Sequence, residues 1–174
     1  NNNELVSIFG NFFNRILVLT HKYYSGKVPL AKNLKKEDET LLNELKLYPS
    51  KLEAAIEKYS FREFSALLMN LARLGNKYLA KQEPWKLIKD DPERVKEIIF
   101  TAVQISAGLT ILSEPLLPFT SVKMKKILNL NSDWDKVSIN SIIIESGHEI
   151  NQPELLFEKI EDEKIIQQLK KLKK

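Results

Sequence analysis

The chain has no cysteine among its 174 residues, which excludes disulfides and thiolate metal sites. Its two histidines, His21 and His148, lie far apart in the sequence without metal-ligand spacing, and its five scattered glycines cannot build a phosphate-binding loop. No stretch approaches the length of a membrane span, and the N-terminus lacks a signal-peptide layout. We therefore expect no catalysis by this chain alone, no membrane contact and a cytoplasmic location.

The excess of positive over negative charge is also small. Lys and Arg exceed Asp and Glu by only 27 to 23, a net charge of +4, and the tail "KKLKK" holds much of this excess. Such a balance tolerates a polyanion partner without requiring one. The length predicts a single domain with a real core. The start at "NNNELV", without methionine, favours a segment of a longer protein.

Apolar residues at helical spacing predict an all-α fold, a helical bundle of about five main helices. The first helix is expected over residues 3–21, with apolar side chains on one half of its circumference. Asn11, Asn14 and Arg15 fall on the other half. Further helices are predicted over 35–48, 51–59, 61–81, 92–112 and 122–128.

Several helix ends have sequence signals. Pro49 is expected to stop the second helix, whose acidic start at 37–39 complements the helix dipole. "SKLE" at 50–53 and "SFRE" at 60–63 have the capping-box spacing and should each begin a helix. "DDPERV" places Asp91 as N-cap and Pro92 at the first helical position.

The pattern changes after residue 130. "VSINSIIIESGHEI", residues 137–150, is β-branched with a glycine turn and predicts a small strand or hairpin. The tail is an amphipathic helix with an apolar stripe of Ile165, Ile166, Leu169 and Leu172. We expect residues 1–130 to form the bundle and residues 131–174 to form an appendage that packs on it, within one domain.

Two features are candidates for binding. Asn11 and Arg15 are four residues apart, so they project from one helix face with Asn14 beside them. Amide and guanidinium groups could read base edges, although a solvated face has the same spacing.

The second candidate lies in "GNKYLAKQEPWKL", where Pro84 disfavours further helix and Trp85 follows at the exit of the turn. The indole is either a core side chain or an exposed aromatic face. Trp134 in "SDWDK" has the same ambiguity and favours packing.

Four blocks of the sequence resemble, in the same order, methionyl-tRNA synthetases. They are "ELVSIFGNFFNR", "GNKYLAKQEPWKL", "ILSEPLLPFTSVKMKKIL" and "ELLFEKIEDE", and they span residues 4–163. The chain is similar to the anticodon-binding helical domain that follows the class I catalytic domain. The resemblance implies that Asn11, Arg15 and Trp85 contact the CAU anticodon and that Pro84 shapes the turn. Asn14 is a further candidate without an assigned base contact.

The resemblance also implies a parent enzyme that attaches methionine to its tRNA with ATP. The partners of this segment would be the anticodon loop of tRNA(Met) and the catalytic domain of the same chain. The segment would need no cofactor, while ATP with Mg²⁺, and a structural zinc as a further candidate, would belong to the catalytic domain. The "HIGH" and "KMSKS" signatures of that domain are absent here. Glu158 stands where many relatives have proline, which leaves the path of that segment open.

Two alternatives remain at this point. A non-enzymatic helical interaction module would dock a protein through residues 165–172 or the first helix, and would have Trp85 buried. An anticodon-binding domain of a sister class I synthetase would read another anticodon, although the "NKYLxxxxPW" spacing argues against it. Anticodon reading requires the first helix and the exit of the 61–81 helix to be neighbours, with Trp85 at least partly exposed.

Overall fold

The computed structural model describes residues 2–131, 134, 137 and 142–172. These residues form helices and connecting segments without a strand, so the all-α prediction is confirmed. The chain begins with a π-helix, Asn2–Gly10. It continues with α1 Asn11–Tyr24, α2 Lys36–Leu45, α3 Tyr48–Glu57, α4 Phe61–Gln82, α5 Pro84–Leu87, α6 Pro92–Leu112, α7 Pro118–Leu128 and α8 Asp162–Leu172.

Helix α6 is the centre of the bundle. It contacts α1, α2, α4 and α7, and nearly every residue from Arg94 to Leu112 is buried. By length and composition α6 could cross a membrane, contrary to the sequence expectation. In the protein, however, 94% of its most apolar window is buried, as is usual for a helix that the rest of a bundle surrounds.

Two predicted helix starts are confirmed and one is wrong. Helix α6 begins after Asp91, whose side chain accepts a hydrogen bond of 3.0 Å from the amide of Arg94. Helix α4 begins after Ser60, although that side chain makes no cap hydrogen bond. Helix α3 begins at Tyr48 rather than after Ser50, because Pro49 lies in its first turn, where the missing N–H is not needed.

The predicted first helix is divided between two geometries. The chain is π-helical up to Gly10 and α-helical from Asn11, and it continues to Tyr24, beyond the predicted end. The predicted apolar half faces the core from Phe9 onward. Its fully buried members are Phe9, Phe12, Phe13, Ile16 and Leu17.

The predicted hairpin is not confirmed. Residues 138–141 lie outside the described part, and residues 142–150 contain no strand. One antiparallel bridge instead joins Glu149 to Lys27 in the loop after α1. The buried side chain of Gln104 provides hydrogen bonds that a partner strand would otherwise make. Its Oε1 accepts from the amides of Ile143 and Ile144 at 2.7 and 3.0 Å, and its Nε2 donates to the carbonyl of Ile144 at 2.8 Å.

The segment around Glu158 has no regular secondary structure and returns to the start of the chain. Phe157 packs edge-on against Phe9, with ring centroids 5.9 Å apart. The Asn2 side chain donates to the carbonyl of Ile160 at 2.8 Å and accepts from its amide at 2.9 Å. Helix α8 then projects with its apolar stripe towards solvent, since Ile165, Ile166 and Leu169 are 47%, 52% and 52% exposed. The division of the chain near residue 130 stays a prediction.

Candidate nucleic-acid interface

The π-helix and α1 run beside α4 in the same general direction. At the start, Arg73 donates to Glu4 at 2.6 Å, and Asn76 then donates to the carbonyl of Ile8 at 2.9 Å. The buried ring of Phe12 lies so close to Gly75 that a Cβ there would come within 2.3 Å of it. Because the two segments advance together, the middle of α1 comes level with the end of α4.

A tight turn at the end of α4 holds Trp85. Glu83 has a left-handed backbone with φ 44°, and its amide donates to the carbonyl of Leu79 at 3.0 Å. Pro84 is then the first residue of the short helix α5, as its fixed φ favours. Pro84 is buried and Leu87 packs against the core, whereas Trp85 is on the side of α5 that faces solvent. The turn therefore directs the indole outward.

The structure brings Arg15 and Trp85 together. The guanidinium carbon of Arg15 is 5.0 Å from the centroid of the Trp85 ring, a cation–π geometry worth about 0.5–1 kcal/mol at exposed sites. Trp85 is 37% exposed. In the described part of the chain no carboxylate lies within 4.0 Å of Arg15, so the donors at the edge of its guanidinium are available to a ligand.

The two asparagines lie on the same side of α1 as Arg15. Asn11 is the first residue of α1 and is exposed, and Asn14 is half-buried. Asn11 is one turn before Arg15, so its amide extends the polar surface away from the indole along the helix. Arg15 contacts Trp85, and the two asparagines share its side of α1. We call this set of residues the reading surface: Asn11, Asn14, Arg15 and Trp85.

A buried polar network lies where the start of α2, the end of α4 and the start of α6 meet. The Asp38 carboxylate is fully buried and accepts from both terminal nitrogens of Arg94 and, at 2.6 Å, from the Tyr78 hydroxyl. Burial alone would raise the pKa of Asp38, but hydrogen bonds from Arg94, Tyr78 and the Lys35 amide outweigh it and lower the pKa. Burial and the Asp38 carboxylate both raise the pKa of Tyr78. The network is therefore a fixed ion pair with its polar atoms satisfied.

Other residues considered from the sequence have structural contacts. Trp134 is half-buried and packs against the core. The Nε2 atoms of His21 and His148 lie 2.9 and 2.7 Å from the carbonyls of Asn151 and Leu128. Across the described ranges, no group of three or more His, Asp or Glu side chains is arranged to hold a metal ion.

Comparison with known proteins gives a consistent family. A family model described as the anticodon binding domain of methionyl tRNA ligase matches residues 28–173. The chain is 56% identical to a methionine–tRNA ligase of Christiangramia forsetii and 52% identical to that of Flavobacterium psychrophilum. Each alignment covers 99% of this chain but only 26% and 25% of those relatives, so the chain spans about a quarter of their length.

Solved structures show the same fold. The methionyl-tRNA synthetase of Mycobacterium tuberculosis in complex with methionyl-adenylate matches with a TM-score of 0.84 over 91% of this chain and 32% of that one, at 19% identity. Its free form matches with a TM-score of 0.85 over 92% of this chain and 33% of that one, also at 19% identity. The chain belongs to the family of anticodon-binding domains of methionyl-tRNA ligases.

Proposed function

We propose that the reading surface binds the CAU anticodon loop of tRNA(Met). The observation that carries the proposal is the Arg15 guanidinium lying over a partly exposed Trp85 indole, with the Asn11 amide one helical turn away. This arrangement combines a flat aromatic face with directional hydrogen-bond groups. Asn11, Arg15 and Trp85 are the contact residues, Pro84 shapes the turn, and Asn14 is the further candidate.

The chemistry of this surface suits unpaired bases. Sequence-specific RNA recognition mostly targets loops, whose bases can be unstacked and laid on aromatic side chains. Stacking on such a side chain is worth about 1–3 kcal/mol per base. A bidentate hydrogen-bond pair adds discrimination of about 1–3 kcal/mol, by analogy with duplex readout. Together these terms reach the several kcal/mol needed to separate one anticodon from another.

In this proposal the chain selects the tRNA for a methionine–tRNA ligase in the cytoplasm. ATP, Mg²⁺ and any structural zinc would be bound by the catalytic domain, in the three quarters of the relatives that this chain does not span. The chain itself would contribute no catalytic residue. Its task is to hold the anticodon while that domain activates methionine and transfers it to the tRNA.

Replacing the indole tests the proposal. We expect Trp85→Ala to weaken binding of a CAU anticodon stem-loop about tenfold or more, because one stacked base loses its platform. The thermal midpoint should change little, since the ring is partly exposed. Affinity would be measured by fluorescence anisotropy of labelled RNA, with stem-loops of other anticodons as specificity controls.

Trp85→Phe is the matched variant, because it keeps an aromatic face at the same position. It should retain more affinity than Trp85→Ala. If Trp85→Ala unfolded the chain but left binding per folded molecule unchanged, Trp85 would be a core residue and the proposal would fail.

The interaction-module alternative expected a buried Trp85 together with an exposed apolar patch. The partial exposure of Trp85 argues against this alternative. The solvent-facing apolar side chains of α8 agree with it. A sister synthetase would instead prefer its own anticodon. The stem-loop panel distinguishes these cases, because only the present proposal predicts a preference for CAU.

A further inference from the structure

The backbone that presents Trp85 needs support from its surroundings. Glu83 occupies the left-handed region at φ 44°, which residues other than glycine adopt rarely and only when neighbouring structure imposes it. The ion pair of Glu83 with Lys86, at 2.8 Å, is exposed to solvent and so holds the turn weakly. The stronger support must come from the buried side of the turn.

Gln82, the last residue of α4, makes two side-chain hydrogen bonds, a part-buried one with Arg94 and one at the protein surface with Glu37. Its Oε1 accepts from Nη2 of Arg94 at 3.0 Å, and its Nε2 donates to Oε2 of Glu37 at 2.6 Å. The amide thus connects the end of α4 to both α6 and α2. Only Glu83 and Pro84 separate Gln82 from the indole-bearing residue.

The Arg94 end of this connection is rigid. Arg94 is 4% exposed, and its two terminal nitrogens grip the fully buried Asp38 carboxylate in a two-pronged pair, a geometry that fixes orientation as well as distance. Glu97 holds one of those nitrogens at 3.1 Å. A buried and satisfied network of this kind allows few alternative arrangements of the helices that meet in it.

We infer that Gln82 is a positioning residue, which transfers the fixed geometry of the Asp38–Arg94 pair to the end of α4 and so sets the direction of the Trp85 ring. The inference rests on the proposed function for its effect on RNA. Both polar ends of the Gln82 side chain are occupied within the protein, so its influence on RNA passes through the turn.

The test uses Gln82→Met, which removes the amide and keeps the length of the side chain. The buried ion pair stays intact in this variant, whereas replacing Asp38 or Arg94 would leave a buried charge unpaired and destabilise the whole bundle. Asn2→Met is the matched control, because Asn2 also makes one donated and one accepted hydrogen bond to a distant segment, at Ile160. Asn2→Met removes two hydrogen bonds at the start of the π-helix, far from the end of α4.

We expect Gln82→Met to weaken binding of the CAU stem-loop about fivefold or more, and Asn2→Met to leave it unchanged, at similar thermal midpoints. A combination with Trp85→Ala identifies the route. If Gln82 acts through the indole, Gln82→Met causes no further loss of affinity in the Trp85→Ala chain. An equal loss in both backgrounds, or no loss in either, overturns the inference.

Fluorescence separates this inference from the proposed function. In a Trp134→Phe background Trp85 is the remaining tryptophan, and acrylamide quenching without RNA reports its exposure. Gln82→Met should increase the quenching constant and Asn2→Met should not. Equal quenching in both variants contradicts the positioning role even if the chain binds RNA. A selective increase supports that role even if the chain shows no preference for CAU.

Discussion

At the scale of single residues, Arg15 can offer a ligand two kinds of chemistry at once. Its flat face lies over the Trp85 indole, while the donors at its edge are available to a ligand. The stacked face restricts the orientation of the guanidinium, so less conformational freedom is lost when its edge meets a base. Lysine has the same charge but neither the flat face nor the paired N–H donors of a guanidinium.

This difference predicts the behaviour of Arg15 variants. Arg15→Gln should lower both the affinity for the CAU stem-loop and the preference for it over other anticodons, because the paired N–H donors that we propose read a base are lost. Arg15→Lys should recover part of the affinity but not the preference. Titrations at several salt concentrations check the assignment. If Arg15→Gln changed only the salt dependence, Arg15 would be a phosphate contact.

The residues of the reading surface were singled out from the sequence as candidates, and the Asp38–Arg94 pair was not. Asn11, Arg15 and Trp85 stood out through helix-face spacing, the proline turn and the family resemblance. Asp38 was interpreted only as an acidic residue near a helix start, and no local pattern relates it to Arg94. A signal did exist. Four polar residues share one face of α6, a helix that is mostly apolar, which indicates burial and hence partners: Arg94, Glu97, Thr101 and Gln104.

At the scale of elements, the Asp38–Arg94 pair joins three helix ends and makes their packing sensitive to acid. In the unfolded chain an Asp ionises near a pKa of about 3.9, and in the folded chain the pKa of Asp38 is lower. The folded state therefore binds this proton less readily than the unfolded state. The stabilisation is fully present above the unfolded pKa and is lost as the pH falls towards the folded pKa.

We therefore expect the free energy of unfolding to decrease as the pH falls below about 4, measured by urea titration across that range. Asp38→Asn should reduce this dependence. At neutral pH it should also destabilise the chain by about 3 kcal/mol, the lower end of the range for breaking a buried pair, because Glu97 still faces the guanidinium. Glu114→Gln, which changes an exposed pair with Lys125, is the control. Equal pH profiles for Asp38→Asn and the unchanged chain would contradict the assignment.

Helix boundaries show where local signals suffice. Asp91 and Pro92 mark the start of α6 because a cap and a proline at the first position agree with each other. The start of α3 was predicted wrongly because proline can either end a helix or begin one. The packing of Tyr48 and Leu52 in the core decides between these roles here. The hairpin is not confirmed, for a similar reason. In the described residues 142–150, the backbone amides of Ile143 and Ile144 donate to Gln104, a buried side chain distant in sequence.

At the scale of the whole molecule, the positive charge is nearly balanced by negative charge and partly paired locally. The net charge is only +4, and lysines on several helices pair with nearby carboxylates, as Lys81 does with Glu37 and Lys125 with Glu114. The surface is therefore suited to reading a few bases rather than to following a long stretch of phosphates.

The expected consequence is a weak salt dependence. A logarithmic plot of affinity for the CAU stem-loop against salt should have a slope no steeper than about −3, which corresponds to a few neutralised phosphates at about −0.7 each. The Trp85→Ala chain should keep the same slope at lower affinity, since an indole releases no counterions. A slope steeper than about −6 would indicate an extended phosphate path and contradict this division of tasks.

The parallel course of α1 and α4 also matters while the protein is being made. Arg15 and Trp85 lie on segments that meet in space, yet α2, α3 and all of α4 are synthesised between them. At about 5–20 residues per second, a ribosome adds Arg15 several seconds before it adds Trp85. Under the proposed function, a product that ends before Trp85 would lack the stacking face, and we expect it to bind the CAU stem-loop no better than the Trp85→Ala chain does.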